Sequence, residues 1–505
     1  METALFGGRH DSKICGMITC FDRVMIKGTL PNACHTKALE ASLWLKNVLF
    51  KNFPNYALGL RDELRKHIEL LSRRENAPIH HLRSTKIRKE DFVREKISGQ
   101  ERTGVVCILS AMEKCVAFGV AKNHQTGYIG LRYETSQCLH YYIYLNDPEL
   151  GLCFVAIPTW VPFTMRVYFN GHNWLARQMD KAGIKYEMDD NCFTHIDDYQ
   201  AAQKLADNLD VKELLHPRLR HWAGEFCPVA VREFGEYHYS LHEMEYATDI
   251  IFDSAESLAP IYREIVHTAV CEIKHSDVAT YLGRSLKNSS VEAGASLSGR
   301  IEGTSVRHRL GPASIKMYDK KGKVLRVETV LNDVSFMKTF REVIHRDGSS
   351  SLKNAPVKKS IYSLGDLRRL MARANQRYLS HIGGLEERSV ETAVLEKLTS
   401  PVSDGNTKRT VSGMSFFSGD DKLLLHSLLD GEYRLNGISN RTLRLKQLAG
   451  WSSGKVSRAL KRLRLHGLIK KVANSYKYYV TDLCERVLAP LLKFKTRILI
   501  PAIAA

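Results

Sequence analysis

Apolar and polar positions recur along this chain with two different periods, and the change from one to the other marks out its elements. KICGMITCFDRVMIKGTL (residues 13–30) alternates as a strand does, whereas KALEASLWLKNVLFKNF repeats apolar residues at helical spacing through Leu39, Leu43, Leu45, Val48 and Leu49. The charged stretch RSTKIRKEDFVREKISGQERTG predicts an exposed helix and loop. GVVCILSAM, CLHYYIYLND and LGLCFVAIPTWV predict strands, the last two forming a hairpin turned at Asn146-Asp147-Pro148-Glu149 and closed by Gly151. GHNWLARQMDKAGI, DDYQAAQKLADNLDVKELLHPRLRHWAGEF and LAPIYREIVHTAVCEI predict helices. From residue 285, SLKNSSVEAGASLSGRIEGTS reads as a Gly/Ser-rich loop. Two strands turned at Lys320-Lys321-Gly322-Lys323 come next, then the helix SLGDLRRLMARANQRYLSHI. TSPVSDGNTKRTVSGMSFFSGDD, polar and rich in Pro, Gly and Ser, reads as a linker.

Residues 420–482 carry the sharpest pattern. Asp420-Asp421 start the helix DKLLLHSLLDG, closed by Gly431; Asn440 caps RTLRLKQLAG, which Gly450 ends. Ser452 or Ser453 caps GKVSRALKRLRLHG, which places Val456, Leu460 and Leu463 on one face and stops at Gly467. LIKKV, a turn at Ala473-Asn474-Ser475 and YKYYVT make a hairpin. This order resembles the winged helix-turn-helix domains of bacterial transcription regulators, and the resemblance implies a recognition helix in the major groove with a wing along the backbone. Lys455, Arg458, Lys461, Arg462 and Arg464 share one short helix with no acidic residue among them, so they repel one another unless phosphates compensate them. Ser452 and Ser453 stand where backbone amides meet a phosphate, and Lys470, Lys471 and Lys477 lie on the hairpin. The expected fold is a mixed α/β (α+β) body with antiparallel hairpins, plus this carboxyl-terminal domain. The boundaries are 1–285 for the body, 286–395 for a hairpin-and-helix region, 396–419 for the linker and 420–505 for the winged helix.

Charge agrees with a polyanion partner. The 505 residues include 74 Lys and Arg against 55 Asp and Glu, a net charge of +19. More than half of the excess lies beyond residue 419, where 17 basic residues face 6 acidic ones. Eleven scattered cysteines without a CxxC pair support neither structural zinc nor a disulfide framework. No apolar run reaches the roughly 18 residues of a membrane span, and METALFGGRHDSKIC lacks the apolar core of a signal peptide. These features predict a cytoplasmic, nucleoid-associated protein. GxGxxG, Walker and GxSxG strings are absent, which leaves a small-molecule enzyme unsupported.

The string SIKMYDKKGKVLRVET, residues 314–329, resembles one found in the rolling-circle replication initiators of plasmids and phages. There a YDK or YNK strand leads through a hairpin to an LRxE strand, here Tyr318-Asp319-Lys320 and Leu325-Arg326-Val327-Glu328. The resemblance implies strand nicking, with Tyr318 as the nucleophile that becomes joined to the 5′ end. Asp319 and Glu328 would hold a divalent metal, Mg2+ or Mn2+, and Lys320 would contact a phosphate. A phenol of pKa about 10 needs a metal or cation beside it to attack at neutral pH, and Arg326 and Lys320 would offset developing phosphate charge. Many such nucleases hold their metal on a His-hydrophobe-His strand, which this chain lacks. His238 and His242, sharing one face if helical, are the nearest ligand pair, beside Glu243, Glu245 and Asp249. The plainer alternative is an ordinary hairpin with an exposed Tyr-Asp-Lys turn.

Asp22, on the strand ITCFDRVMIKG, opens a second possibility. It is similar to the first strand of ribonuclease-H-like nucleases and transposases, where an aspartate on the central strand binds metal; Asp147, Glu245 or Asp249 would complete the cluster. The commoner fate of such an aspartate is a surface ion pair with Arg23 or a lysine. Trp160, Phe163, Tyr168, Phe169 and Trp174, interleaved with Arg166, His172 and Arg177, fit either base stacking or, more commonly, a core strand followed by a helix with an inward Trp.

Together these features point to a nucleic-acid-binding protein of a mobile element, replication-initiator-like or transposase-like. It would recognise DNA through residues 452–466 and nick a strand with a metal-assisted tyrosine. Two rivals stay open: an RNA-binding component of a ribonucleoprotein and a non-catalytic transcription regulator. DNA is the expected partner, RNA the alternative, with no membrane; the oligomeric state, a homodimer among the options, is open.

Overall fold

A computed structural model describes residues 10–83, 89–97, 102–122, 124–271, 273–284, 293–300, 303–384, 397–404, 410–415, 418–428, 433, 437–446, 448–473 and 475–484. The chain is a mixed α/β protein whose contacts gather into two compact units. One comprises Ile14–Ile251 with Arg326–Asn375, the other Met1–Lys13, Phe252–Leu325 and Gln376–Ala505.

The first of these units is built on a mixed sheet. Its strands are β1 (Ile14–Thr29), β2 (Ile79–His81), β3 (Gly104–Lys122), β4 (Ile129–Asp147), β5 (Gly151–Pro158), β6 (Met165–Phe169), β9 (His238–Phe252) and β13 (Val324–Leu331), in the order β13-β9-β1-β6-β5-β4-β3-β2. β3 to β6 pair antiparallel, β1 pairs antiparallel with β6, and the short β2 runs parallel to its neighbour β3. The expected β4–β5 hairpin closes as Asp147 pairs with Gly151, whose φ of 68° suits glycine. Asp147 Oδ1 pins the turn by accepting from the Glu149 and Leu150 amides at 2.8 and 2.9 Å. β5 is buried along nearly all its length, so its continuous apolar run is that of a central strand.

Helices α1 (Thr36–Leu45), α2 (Phe53–Arg74), α3 (Lys89–Ile97), α4 (Gly171–Ala182), α5 (Tyr199–Ala206), α6 (His216–Phe226) and α7 (Pro228–Phe234) belong to the same unit. α2 buries Phe53, Ala57, Leu60, Leu64, Ile68 and Leu71, a stripe at helical spacing. α4 packs on β1 so closely that any side chain at Gly171 would run into the Phe21 carbonyl. That contact sets His172, the next residue, against the sheet. A short separate pair, β7 (Tyr186–Met188) with β8 (Phe193–Ile196), follows α4.

Two expectations change here. HYSLHEMEYATDIIF forms the long strand β9, so the helical face that would pair His238 with His242 does not exist; both are exposed on the strand, four residues apart. In the other unit the Gly/Ser-rich stretch is not a loop throughout: Ala293–Arg300 and Gly303–Leu310 form β10 and β11, antiparallel to each other, while 285–292 and 301–302 lie outside the described residues. β11 pairs in turn with β12 (Ala313–Lys320), setting Ser305 opposite Tyr318. The turn after β12 has Lys321 and Gly322 both at positive φ, 57° and 72°, the pattern of a two-residue type I′ hairpin. Helices α8 (Ala255–Cys271) and α9 (His275–Tyr281) also belong to this unit, and α10 (Leu364–Gly384) starts in one unit and ends in the other.

Beyond residue 396 the chain forms β16 (Val402–Ser403) and β17 (Thr410–Val411), then α11 (Gly419–Leu428), α12 (Asn440–Leu445), α13 (Ser453–Leu465), β18 (Ile469–Lys471) and β19 (Tyr478–Val480). Leu398, Met414, Leu424, Leu428, Leu443, Val456, Leu460, Leu463 and Ile469 share one buried cluster. The expected linker is therefore packed in part: Met414 sits in that core and donates to the Leu398 carbonyl at 2.8 Å. Residues 405–409 and 416–417 of it, the closing Gly431 and the turn residue Asn474 lie outside the described residues.

Candidate functional site

The sheet order sets β13, β9 and β1 side by side, and each contributes a carboxylate: Glu328, Glu245 and Asp22. One oxygen from each lies within 4.8 Å of the other two. Oxygens about 2.1–2.5 Å from a shared cation fall within that separation, and an all-carboxylate donor set suits a hard divalent ion such as Mg2+ or Mn2+.

Behind them lies a buried ionic network. Arg326, fully buried, grips Asp249 through two bonds of 2.6 Å, from Nε to Oδ1 and from Nη2 to Oδ2. Its Nη1 donates to Asp22 Oδ1 at 3.1 Å and stands 3.8 Å from Glu328 Oε1, while Nη2 also donates to the Asn191 carbonyl at 2.7 Å. His172 is wedged between Asp22 (Nδ1 to Oδ1, 3.1 Å) and Asp249 (Nε2 to Oδ2, 3.3 Å). Asn170 caps α4 by accepting from the His172 amide at 2.7 Å, and its Nδ2 reaches Asp22 Oδ1 at 3.3 Å. Asn191 Nδ2 adds a 2.6 Å bond to the same oxygen. Asp22 is thus oriented by at least four groups acting on Oδ1.

The electrostatics follow from burial. Desolvation pushes the Asp249 carboxyl up, but the Arg326 guanidinium and the His172 bond more than reverse it, to about 2. Burial, joined by the Arg326 charge, pulls the His172 imidazole down; the neighbouring Cys20, then the bonds to Asp22 and Asp249, outweigh that pull and hold it well above the ordinary histidine value. Within this set four carboxylates meet one guanidinium and one imidazole.

Of the ligands the initiator resemblance implies, Glu328 is in the cluster; Asp319 and Tyr318 are half-buried on β12, in the other unit. Asp22 and Glu245, named from a separate resemblance, meet Glu328 there, and Asp249 lies in the network behind them. Asp147, the other carboxylate named with Asp22, is held by Arg218 (Nε to Oδ1, 3.1 Å). His238 and His242 are exposed and join no cluster of metal-ligand type among the described residues. Two expected phosphate contacts are corrected: Arg326 is spent on buried aspartates, and Lys320 is buried too, at 6% exposure. Asn170, Asn191 and the neighbour relation of the three strands were not apparent from sequence. Nothing in a linear string states which strands lie side by side. Phe163, Phe169 and Trp174 are buried, as a core strand and an inward helix face require.

In the carboxyl-terminal elements, Ser439 rather than Asn440 caps α12, accepting from the Thr442 amide at 3.1 Å. Asn440 instead donates to the Ser453 carbonyl and Ser457 Oγ, both at 2.8 Å, joining α12 to α13. Ser452 caps α13, accepting from the Lys455 amide at 3.3 Å. β18 pairs with β19, and Ile438 bridges to Tyr478 on the far side of β19. The cations of α13 divide into two sets. Arg462 makes two 2.8 Å bonds to Asp421 and also donates to the Ser412 and Gly413 carbonyls; Lys461 pairs with the buried Asp404 at 2.7 Å. These two are compensated within the protein. Lys455 pairs with Asp420 at 2.6 Å and lies 4.0 Å over the Trp451 ring. Arg458, Arg464, Lys470, Lys471 and Lys477 are exposed, as are Ser452 and Ser453.

No family model matches the chain, and no curated protein matches it. Among solved structures, a rolling circle replication initiator protein from Geobacillus stearothermophilus aligns with 70% of this chain and 98% of its own, at 11% identity and a TM-score of 0.20. A score that low carries no argument about fold or function. Among the described residues no helix is long and apolar enough to cross a membrane.

Proposed function

We propose that this chain is a DNA-processing protein of replication-initiator or transposase type, which binds duplex DNA through a carboxyl-terminal winged helix-turn-helix and cleaves a strand at a divalent cation held by Asp22, Glu245 and Glu328. The observation that carries the reading is the convergence of three carboxylates from adjacent strands, one oxygen of each within 4.8 Å of the other two. Carboxylates this close to one another repel, and a shared cation turns that repulsion into coordination. The cation, when bound, would neutralise a phosphodiester and favour a nucleophile deprotonated at neutral pH. Arg326 and His172 orient Asp22 and Asp249 and do not touch the substrate. The order of α11, α12, α13 and the β18–β19 hairpin, with exposed Arg458, Arg464, Lys470, Lys471 and Lys477, supports the winged-helix part. Tyr318 is the nucleophile that the initiator resemblance suggests.

The test is a denaturing gel of labelled single-stranded and duplex DNA incubated with the full chain and Mg2+ or Mn2+. Wild type is expected to cut, Glu328→Gln to lose at least about a hundredfold in rate, and Tyr318→Phe to lose any protein-linked product. Cleavage by Tyr318→Phe that leaves no protein attached would make water the nucleophile. No cleavage by wild type with either metal, or undiminished cleavage by Glu328→Gln, would remove the enzymatic part.

A further inference from the structure

Residues 338–356 form a two-stranded ribbon of their own, β14 (Lys338–Ile344) paired antiparallel with β15 (Ser350–Pro356). Its base is fixed in the unit's core by Val334, Met337 and Val357, with the Val357 amide donating to the Met337 carbonyl at 2.9 Å. Its tip is fixed by Asp347, whose Oδ1 accepts from the Ser349 amide at 3.0 Å, and by Gly348 at φ 80°. At about 3.3 Å per residue the seven-residue strands run for about 23 Å. Two-stranded ribbons are marginal in water by themselves.

The register gives this ribbon two unlike faces. Phe340, Ile344 and Leu352 fall on one face and are 70, 73 and 73% exposed, an apolar stripe in water. On the other face Arg341 stands directly opposite Lys353. Facing like charges destabilise a strand pair, and among the described residues no carboxylate pairs with either. The Arg341 guanidinium is held in place by the Pro356 and Glu342 carbonyls at 2.8 and 3.2 Å. From residue 338 to 359 six basic side chains stand against two acidic ones, and both acids are engaged locally: Glu342 accepts from Ser350 Oγ at 2.6 Å and Asp347 from Ser349.

We propose that this ribbon is an arm that grips a single-stranded stretch of DNA. Arg341, Lys353, Arg346 and Lys358 take backbone phosphates, and Phe340 stacks on an unpaired base. A polyanion supplies what the facing Arg341 and Lys353 lack, and an unstacked base covers an exposed aromatic as no phosphate can. The choice of DNA over another polyanion rests on the function proposed above.

The experiment is fluorescence anisotropy of a labelled single-stranded DNA with the full chain, repeated across a salt series. The Arg341→Glu/Lys353→Glu double variant is expected to bind about tenfold more weakly at 150 mM salt. Its log–log salt slope should be shallower by about 1.4, two contacts at roughly 0.7 each. Phe340→Ala should weaken binding and leave the slope unchanged. Affinity and slope unaltered in the double variant overturn the proposal, as does a preference of more than tenfold for RNA of the same sequence. So does a wild-type dimer that Phe340→Ala converts to monomer with no loss of DNA affinity, since a second copy would then cover the stripe. Arg458→Glu/Lys470→Glu separates the two readings. Loss of binding there with none in the ribbon variants removes the ribbon alone, whereas a wild type that binds no DNA removes both.

Discussion

Arg326 shows how far a residue's type can mislead about its role. In sequence it is a cation between a Tyr-Asp-Lys string and a glutamate, ready for phosphate; in the structure it is fully buried and locked on Asp249. Arg326→Met leaves that carboxylate buried with only His172 to meet it, and removal of one partner from a buried pair costs about 3–5 kcal/mol. The pH dependence gives the assignment a sign. In wild type the Asp249 pKa is depressed to about 2. Its stabilisation is therefore complete above the unfolded value of about 3.9 and is lost only as pH falls through about 2. In Arg326→Met burial acts with less opposition and lifts that pKa, so protonation relieves the variant as pH falls. Urea unfolding at pH 7 and at pH 4 should show the gap between the two proteins narrowing at the lower pH. A gap below 1 kcal/mol, or one independent of pH, contradicts the network. The sequence does mark each of Asp22, Glu245, Asp249, Arg326 and Glu328 as chemically capable. Which of them share a site depends on strand adjacency, and that depends on contacts as far as 304 residues apart.

At the scale of elements, legibility followed locality. α13 could be read because its signals are adjacent in the chain: Ser452 as cap, Val456, Leu460 and Leu463 as its buried face, and Gly467 at φ 75° as its stop. β10 and β11 could not, because Gly and Ser contribute little side-chain preference and only the pairing with β12 defines that ladder. β9 was hidden by the reverse effect, since its glutamates and histidines suit a helix locally while its three-dimensional neighbours impose a strand. The segment before α11 looked like a linker from composition alone, yet its backbone carbonyls at Ser412 and Gly413 bind Arg462. That bond separates structural from surface cations on α13. Arg462→Ala strips Asp421 and two carbonyls of a half-buried partner and should cost about 2 kcal/mol in the stability of this element group. Arg464→Ala, at an exposed position, should cost under about 0.5 kcal/mol. Chemical denaturation of both variants followed by Trp451 fluorescence compares them directly. Equal losses would mean that the Arg462 contacts contribute little.

For the molecule as a whole, the two signs of charge are segregated. A chain of net charge +19 carries basic residues on surfaces such as the β14–β15 ribbon and the β18–β19 hairpin, while the carboxylates of Asp22, Glu245, Asp249 and Glu328 gather around Arg326 and His172. Repulsion among the surface cations and among the interior carboxylates both oppose the folded state, and different ligands relieve them. A divalent cation that binds only the folded chain stabilises it by about 2.7 kcal/mol at one hundred times its dissociation constant. For a unit of this size that is a rise of roughly 5 °C in the unfolding midpoint. Thermal unfolding with Mn2+ and then with excess chelator should show that rise and its reversal in wild type. Asp22→Asn and Glu328→Gln change the starting midpoint by themselves, so the quantity to compare is the cation-induced shift within each protein. That shift should fall to near zero in both variants and persist in Arg458→Ala, which alters only the surface. A shift of the same size in Glu328→Gln would assign the ion to other groups. The absence of any shift in wild type would leave the three carboxylates with roles inside the protein, and their mutual repulsion as a structural cost that the fold bears without a cation.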